Sequence, residues 1–241
     1  MAAQNLFDIQ KWIQNYIKVF QFFQTNTQFQ NVLSQAFYCY NIPPNQTTQV
    51  LLCINSLQSI LKSDKTITQS LPIIEVPIMD PDIVKHNPTF LIGGEIEGNK
   101  KTLHRFAFAI CITFTSPECD SGRIVAKGTL NNDSCCAQNH GCKKRVVRRF
   151  HFDYQPHDHK APLITHFQYG GHFPGGAYSH ELHYCLEPFL EKPRIPCDPW
   201  DYVKLLNCII GQFDTPLNQW RKEPYWNGLV KANDECIGSL N

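Results

Sequence analysis

Two stretches decide how this chain folds: Leu103-His-Arg-Phe-Ala-Phe-Ala-Ile-Cys-Ile-Thr-Phe-Thr115 and Lys144-Arg-Val-Val-Arg-Arg-Phe-His-Phe-Asp-Tyr154. Side chains alternate across a strand, so each stretch has two faces. In the first, His104, Phe106, Phe108, Ile110 and Ile112 share one face. Arg105, Ala107, Ala109 and Cys111 share the other. In the second, Phe150, Phe152 and Tyr154 fall opposite Arg149, His151 and Asp153. Both read as strands with one apolar side.

Further strands flank them. Leu163–Tyr169 puts His166 and Gln168 one way and Thr165, Phe167 and Tyr169 the other. The connection from Gln155 to Pro162 is short enough for a hairpin, which would set the two polar sets side by side. Phe90–Glu97 reads as a strand with a bulge at Gly93-Gly94. Leu71–Ile78 is β-branched and proline-punctuated, as in an edge strand.

Outside the strands the pattern is helical. Ile9, Trp12, Ile13, Tyr16, Ile17 and Phe20 recur at helical spacing behind Asp8, a candidate N-cap. Phe29 to Tyr40 predicts a second helix, stopped by Pro43-Pro44. A third begins near Thr47 or Thr48 and presents Val50, Leu51, Ile54, Leu57, Ile60 and Leu61. After the strands, Asp198-Pro199 predicts an N-cap and first turn, followed by Trp200, Val203, Leu206, Ile210 and Phe213. A last helix spans Trp226 to Cys236. Helices, consecutive strands, then helices predict an α+β fold. Its antiparallel sheet carries an N-terminal helical bundle (residues 1–65) and, within residues 66–241, C-terminal helices packed on it. The two parts form one continuous globular unit.

Composition narrows the class. The 241 residues are 42% hydrophobic and 18% charged, which is globular rather than disordered. Lys plus Arg is 22 against 21 Asp plus Glu, so net charge draws the chain to neither nucleic acid nor membrane. Asp8, Lys11 and several glutamines interrupt the N-terminal apolar positions, and no apolar run has the length of a span. A cytosolic, cytoplasmic protein is the expectation. Eleven cysteines over so long a chain suit reduced thiols, not a disulfide scaffold.

The candidate chemistry lies between Arg145 and His183, where most of the histidines fall. One sheet face would present Arg149, His151, Asp153, His166 and Gln168. Arg105 joins them if the alanine face of the long strand lies on the same side, and the alanines then leave room for a ligand. Two histidines and a carboxylate hold a divalent metal or act as an acid–base pair, and an arginine holds phosphate or carboxylate. The alternative is a solvated sheet face. Cys119, Cys135, Cys136, His140 and Cys142 form a second cluster, a candidate structural zinc site, although no regular CxxC pair is present. Lys143, Lys144, Arg145 and Arg148 are a candidate nucleic-acid patch, halved on either side by strand alternation.

Two resemblances attach to these residues. His151-Phe152-Asp153-Tyr154 and His166-Phe167-Gln168-Tyr169 resemble the doubled histidine motif of two-histidine phosphoesterases. Asp153 and Gln168, however, stand where that family carries Ser or Thr, and its motifs lie further apart. Arg149 to Tyr154, Pro162 to Gly171 and Pro193-Arg194-Ile195-Pro196 before a helix resemble the bacterial domain-of-unknown-function 2290 family over residues 145–213. That resemblance implies a bacterial origin and a setting in defence or mobile-element systems, and no activity.

Three functions follow as expectations. The first is a metal-assisted phosphoesterase or nuclease, with His151, Asp153 and His166 as catalytic groups, Arg149, Gln168 and Arg105 as ligand-binding groups, and zinc or another divalent metal. The second is a non-catalytic module docking a protein through the N-terminal helices, with a structural zinc held by the cysteine cluster. The third is a small-ligand or nucleotide sensor on the same sheet face.

Overall fold

The computed structural model describes residues 7–26, 46–82, 84, 88–115, 144–154, 165–169, 182–183 and 194–240. The fold is α+β. Helices α1 (Ile9–Thr25) and α2 (Gln46–Lys62) come first. Strands β1 (Ile67–Pro77), β2 (Thr89–Gly98), β3 (Leu103–Thr115), β4 (Lys144–Tyr154), β5 (Thr165–Tyr169), β6 (Leu182–His183) and β7 (Arg194–Pro196) follow. Helices α3 (Tyr202–Gln212) and α4 (Pro224–Ile237) close the chain, with a 3₁₀ turn, Asn218–Lys222, between them. The expected second helix, Phe29 to Tyr40, lies outside the described residues.

The strands form one sheet in the order β1-β2-β3-β4-β5-β7, antiparallel throughout, and two-residue β6 adds a parallel pairing to β4. β3 and β4 occupy the ranges their alternation predicts. The expected bulge at Gly93-Gly94 is absent there. β2 stays in register with β3 through both glycines, and the extra residue sits in β1, between Leu71 and Ile74. Pro72, with no N–H to give a ladder, falls in that step. Gly94 instead makes room for its neighbours. A Cβ there would run into the Phe108 ring and come 2.7 Å from the Ala107 carbonyl.

The core fills one side of the sheet. Phe106 and Phe108 project from β3 onto α1, where Trp12 meets Phe106 with ring centroids 5.9 Å apart and Tyr16 meets Phe108 at 6.5 Å. From β4, Phe152 stacks on Trp200 at 5.5 Å. One cluster of buried side chains runs from α1 and α2 through β1–β3 to α3 and α4.

A single carboxylate ties the helices together at the centre of that core. Asp201 is wholly buried. Trp12 Nε1 (3.0 Å) and Tyr16 Oη (2.8 Å) donate to its Oδ2, and Asn233 Nδ2 (3.0 Å) and the Lys204 N–H (3.0 Å) donate to Oδ1. Asp201, not Asp198, is therefore the N-cap of α3, and Pro199 lies in the non-helical segment before it. Asp8 caps α1 as expected, accepting from the Lys11 N–H at 3.0 Å.

Candidate functional site

The far side of the sheet is where the polar strand residues meet. In the register of β3 on β4, Ala107 faces Asp153, Ala109 faces His151 and Cys111 faces Arg149. In that of β4 on β5, His151 faces Gln168 and Asp153 faces His166. Directly opposed residues share a face. The small side of β3 and the polar sides of β4 and β5 thus form one surface. Arg149, His151, Asp153, His166 and Gln168 all stand on it.

This surface is not a solvated one. Arg149 is 0% exposed, His166 1% and Gln168 6%, while Ala107, Ala109 and Cys111 are buried as well. Burial of polar side chains costs free energy unless they are paired. The sharpest case is His166. Its Nε2 lies 3.4 Å from Asp153 Oδ2, and neither ring nitrogen has a hydrogen-bond partner among the described residues. A buried imidazole beside a carboxylate has the composition of a general acid–base pair.

Arg105 stands on the same face, one alternate position beyond Ala107, but it is committed elsewhere. Its guanidinium pairs with Glu95 through one terminal nitrogen and approaches Glu97 Oε2 at 3.5 Å through Nε. Glu95 and Glu97 face Ala107 and Arg105 across the β2–β3 ladder. Neither carboxylate is among the residues singled out from sequence. Their spacing by two in a predicted strand is the signal that would have put them on one face.

Metal chemistry finds less here. Among the described residues, no three His, Cys, Asp or Glu side chains converge where a metal could sit. Cys119, Cys135, Cys136, His140 and Cys142 lie outside the described residues, as does Lys143. Lys144, Arg145 and Arg148 take β4 positions facing Thr115, Phe114 and Ile112. Burial pushes the Cys53 thiol up to about 12, which keeps it protonated inside the core.

Among the described residues, no helix is long and apolar enough to cross a membrane. No family model, curated protein or solved structure matches this chain.

Proposed function

We propose that this protein hydrolyses a small phosphoester, with His166 and Asp153 as its acid–base pair. The observation that carries the reading is the His166 ring: almost fully buried, without a hydrogen bond among the described residues, and 3.4 Å from a carboxylate. A polar group left in that state costs stability, and such costs concentrate at functional sites. Asp153, 3.4 Å away, is the group that orients the ring. His166 moves the proton between water and the leaving oxygen. Arg149, on the same face, sets a fixed positive charge in the buried end, which favours an anionic phosphoryl group there. Gln168 and His151, facing each other one row further along, orient the ligand.

Burial also bears on substrate size. A duplex or a long single strand needs an open, basic track. Arg149 and His166 are covered, so a small molecule fits better than a polymer. The metal-assisted form of the reaction needs further ligands from segments beyond the described residues.

The test is hydrolysis of p-nitrophenyl phosphate, bis-p-nitrophenyl phosphate and single-stranded DNA, each with chelator and with added zinc. Turnover of a small ester that falls by about 100-fold or more in His166→Gln is expected, the usual worth of a general acid–base group. Loss in chelator would add a metal to the mechanism. Binding of the esters without turnover would make this face a sensor site, and unchanged turnover in His166→Gln would sink the assignment.

A further inference from the structure

Among the described residues, seven large apolar side chains stand exposed, and three of them fall at one corner of the molecule. Met79 (47% exposed) and Val84 (42%) belong to the turn that follows β1, and Phe213 (41%) is the C-cap of α3. The Met79 N–H donates to the Asp214 carbonyl at 2.8 Å, which sets Met79 beside Phe213. Exposed apolar side chains are ordinary when they stand singly. A group of them rimmed by polar residues marks a contact surface.

Hydrogen bonds hold this corner in place on both segments. The Ile78 N–H donates to the Pro88 carbonyl at 2.9 Å, and the Val84 N–H to the Asp80 carbonyl at 2.8 Å. Asp80 Oδ1 also accepts from the Asp82 N–H at 2.9 Å. On the other segment, the Phe213 N–H donates to the Ile209 carbonyl at 3.0 Å, and Asn218 Oδ1 accepts from the Thr215 N–H at 2.9 Å. The Phe213 ring meets the buried Phe90 ring edge-on, with centroids 4.7 Å apart. A surface formed in advance loses little conformational freedom when a partner lands on it.

The charge around the three side chains selects that partner. Asp80, Asp82 and Asp214 are exposed on the same two segments. Residues 78–86 and 211–217 carry three Asp and one Lys, a net charge of −2. A second copy docking through this same corner would set its carboxylates against their own images across a two-fold axis. Nucleic acid and anionic membranes are repelled by the same charge. A polypeptide with apolar anchors flanked by Lys or Arg matches both the apolar centre and the acidic rim.

We propose that the Met79–Phe213 corner docks a cationic amphipathic segment of another protein. Its apolar side chains rest on Met79, Val84 and Phe213, and its Lys or Arg side chains meet Asp80, Asp82 and Asp214. None of these residues takes part in the phosphoester reading, so either can fail alone.

Fluorescence anisotropy of the full chain with three labelled peptides of equal length tests this. One peptide is leucine and lysine in amphipathic helical order, the second has glutamate for each lysine, and the third has serine for each leucine. The leucine–lysine peptide should bind about tenfold tighter than either of the others. Met79→Ser/Val84→Ser should weaken it about tenfold, because two half-exposed side chains together bury about as much as one whole side chain. Asp82→Asn/Asp214→Asn should weaken it about threefold and flatten its salt dependence. Leu51→Ser/Leu52→Ser, at the exposed pair on α2, should leave binding unchanged. Equal binding of the glutamate peptide would overturn the proposal. So would parent-like binding by folded Met79→Ser/Val84→Ser, or a loss confined to the α2 variant. If Met79→Ser/Val84→Ser does not fold, the other two variants decide: a loss in the aspartate variant alone upholds the corner, and equal affinities overturn it. A dimer in sedimentation that Met79→Ser/Val84→Ser dissolves would make the corner a contact between copies and overturn the cationic partner.

Discussion

The two faces of the sheet each bury charged or polar groups, and they treat them in opposite ways. On the helical face, Asp201 accepts four hydrogen bonds from Trp12, Tyr16, Asn233 and the Lys204 amide. On the other face, His166 is also buried, and among the described residues its polar contact is one longer approach, to Asp153. A satisfied buried charge holds elements together. A buried ring with unused donor and acceptor capacity does little for the fold and remains available for a ligand. The contrast separates structure from chemistry without any appeal to motif.

Asp201 is where the contrast should show most strongly. Asp201→Ala removes the α3 N-cap and strands the Trp12, Tyr16 and Asn233 donors, so urea unfolding should show a loss on the order of 4 kcal/mol. A loss below about 1 kcal/mol would mean the network is not what joins the helices. Burial raises the Asp201 carboxyl above its ordinary range despite its donors. The folded form therefore holds its proton more tightly than the unfolded chain. Stability should rise as pH falls through the folded value and level off below the unfolded one, near 3.8. Burial, then Asp201, likewise raises the Tyr16 phenol well above 10.0, so stability should also fall as pH climbs past that point.

A smaller effect is expected elsewhere on the same helical face. Gly94→Ala puts a methyl into the Phe108 ring and against the Ala107 carbonyl. Overpacking of this kind costs about 1–3 kcal/mol, read as a lower urea midpoint. An unchanged midpoint would show that the β2–β3 ladder yields there.

Much of this is legible in the sequence, for reasons that differ by region. β3 and β4 are long and alternate cleanly, so their ranges and faces follow from spacing alone. β6 and β7, two and three residues long, carry no period to read. Asp198-Pro199 carries the usual local signal for a helix start, yet the cap of α3 is Asp201. What selects Asp201 is long-range: its donors Trp12 and Tyr16 lie more than 180 residues earlier in the chain. The candidate site divides the same way. Alternation places Arg149, His151, Asp153, His166 and Gln168 on one face. It reads alike for a covered face and a wet one, so the burial that makes His166 informative stays hidden. The pairing of Arg105 with Glu95 and Glu97 also depends on which strands become neighbours, a matter of topology rather than local pattern.

If His166 serves chemistry and not the fold, His166→Leu should separate the two. The substitution removes both ring nitrogens while keeping an apolar side chain in the covered face. Urea unfolding and turnover of the small phosphate esters should be measured on the same preparation. Stability within about 1 kcal/mol of the parent is expected, together with loss of turnover. A loss of several kcal/mol with turnover intact would contradict the assignment and make His166 a structural residue like Asp201.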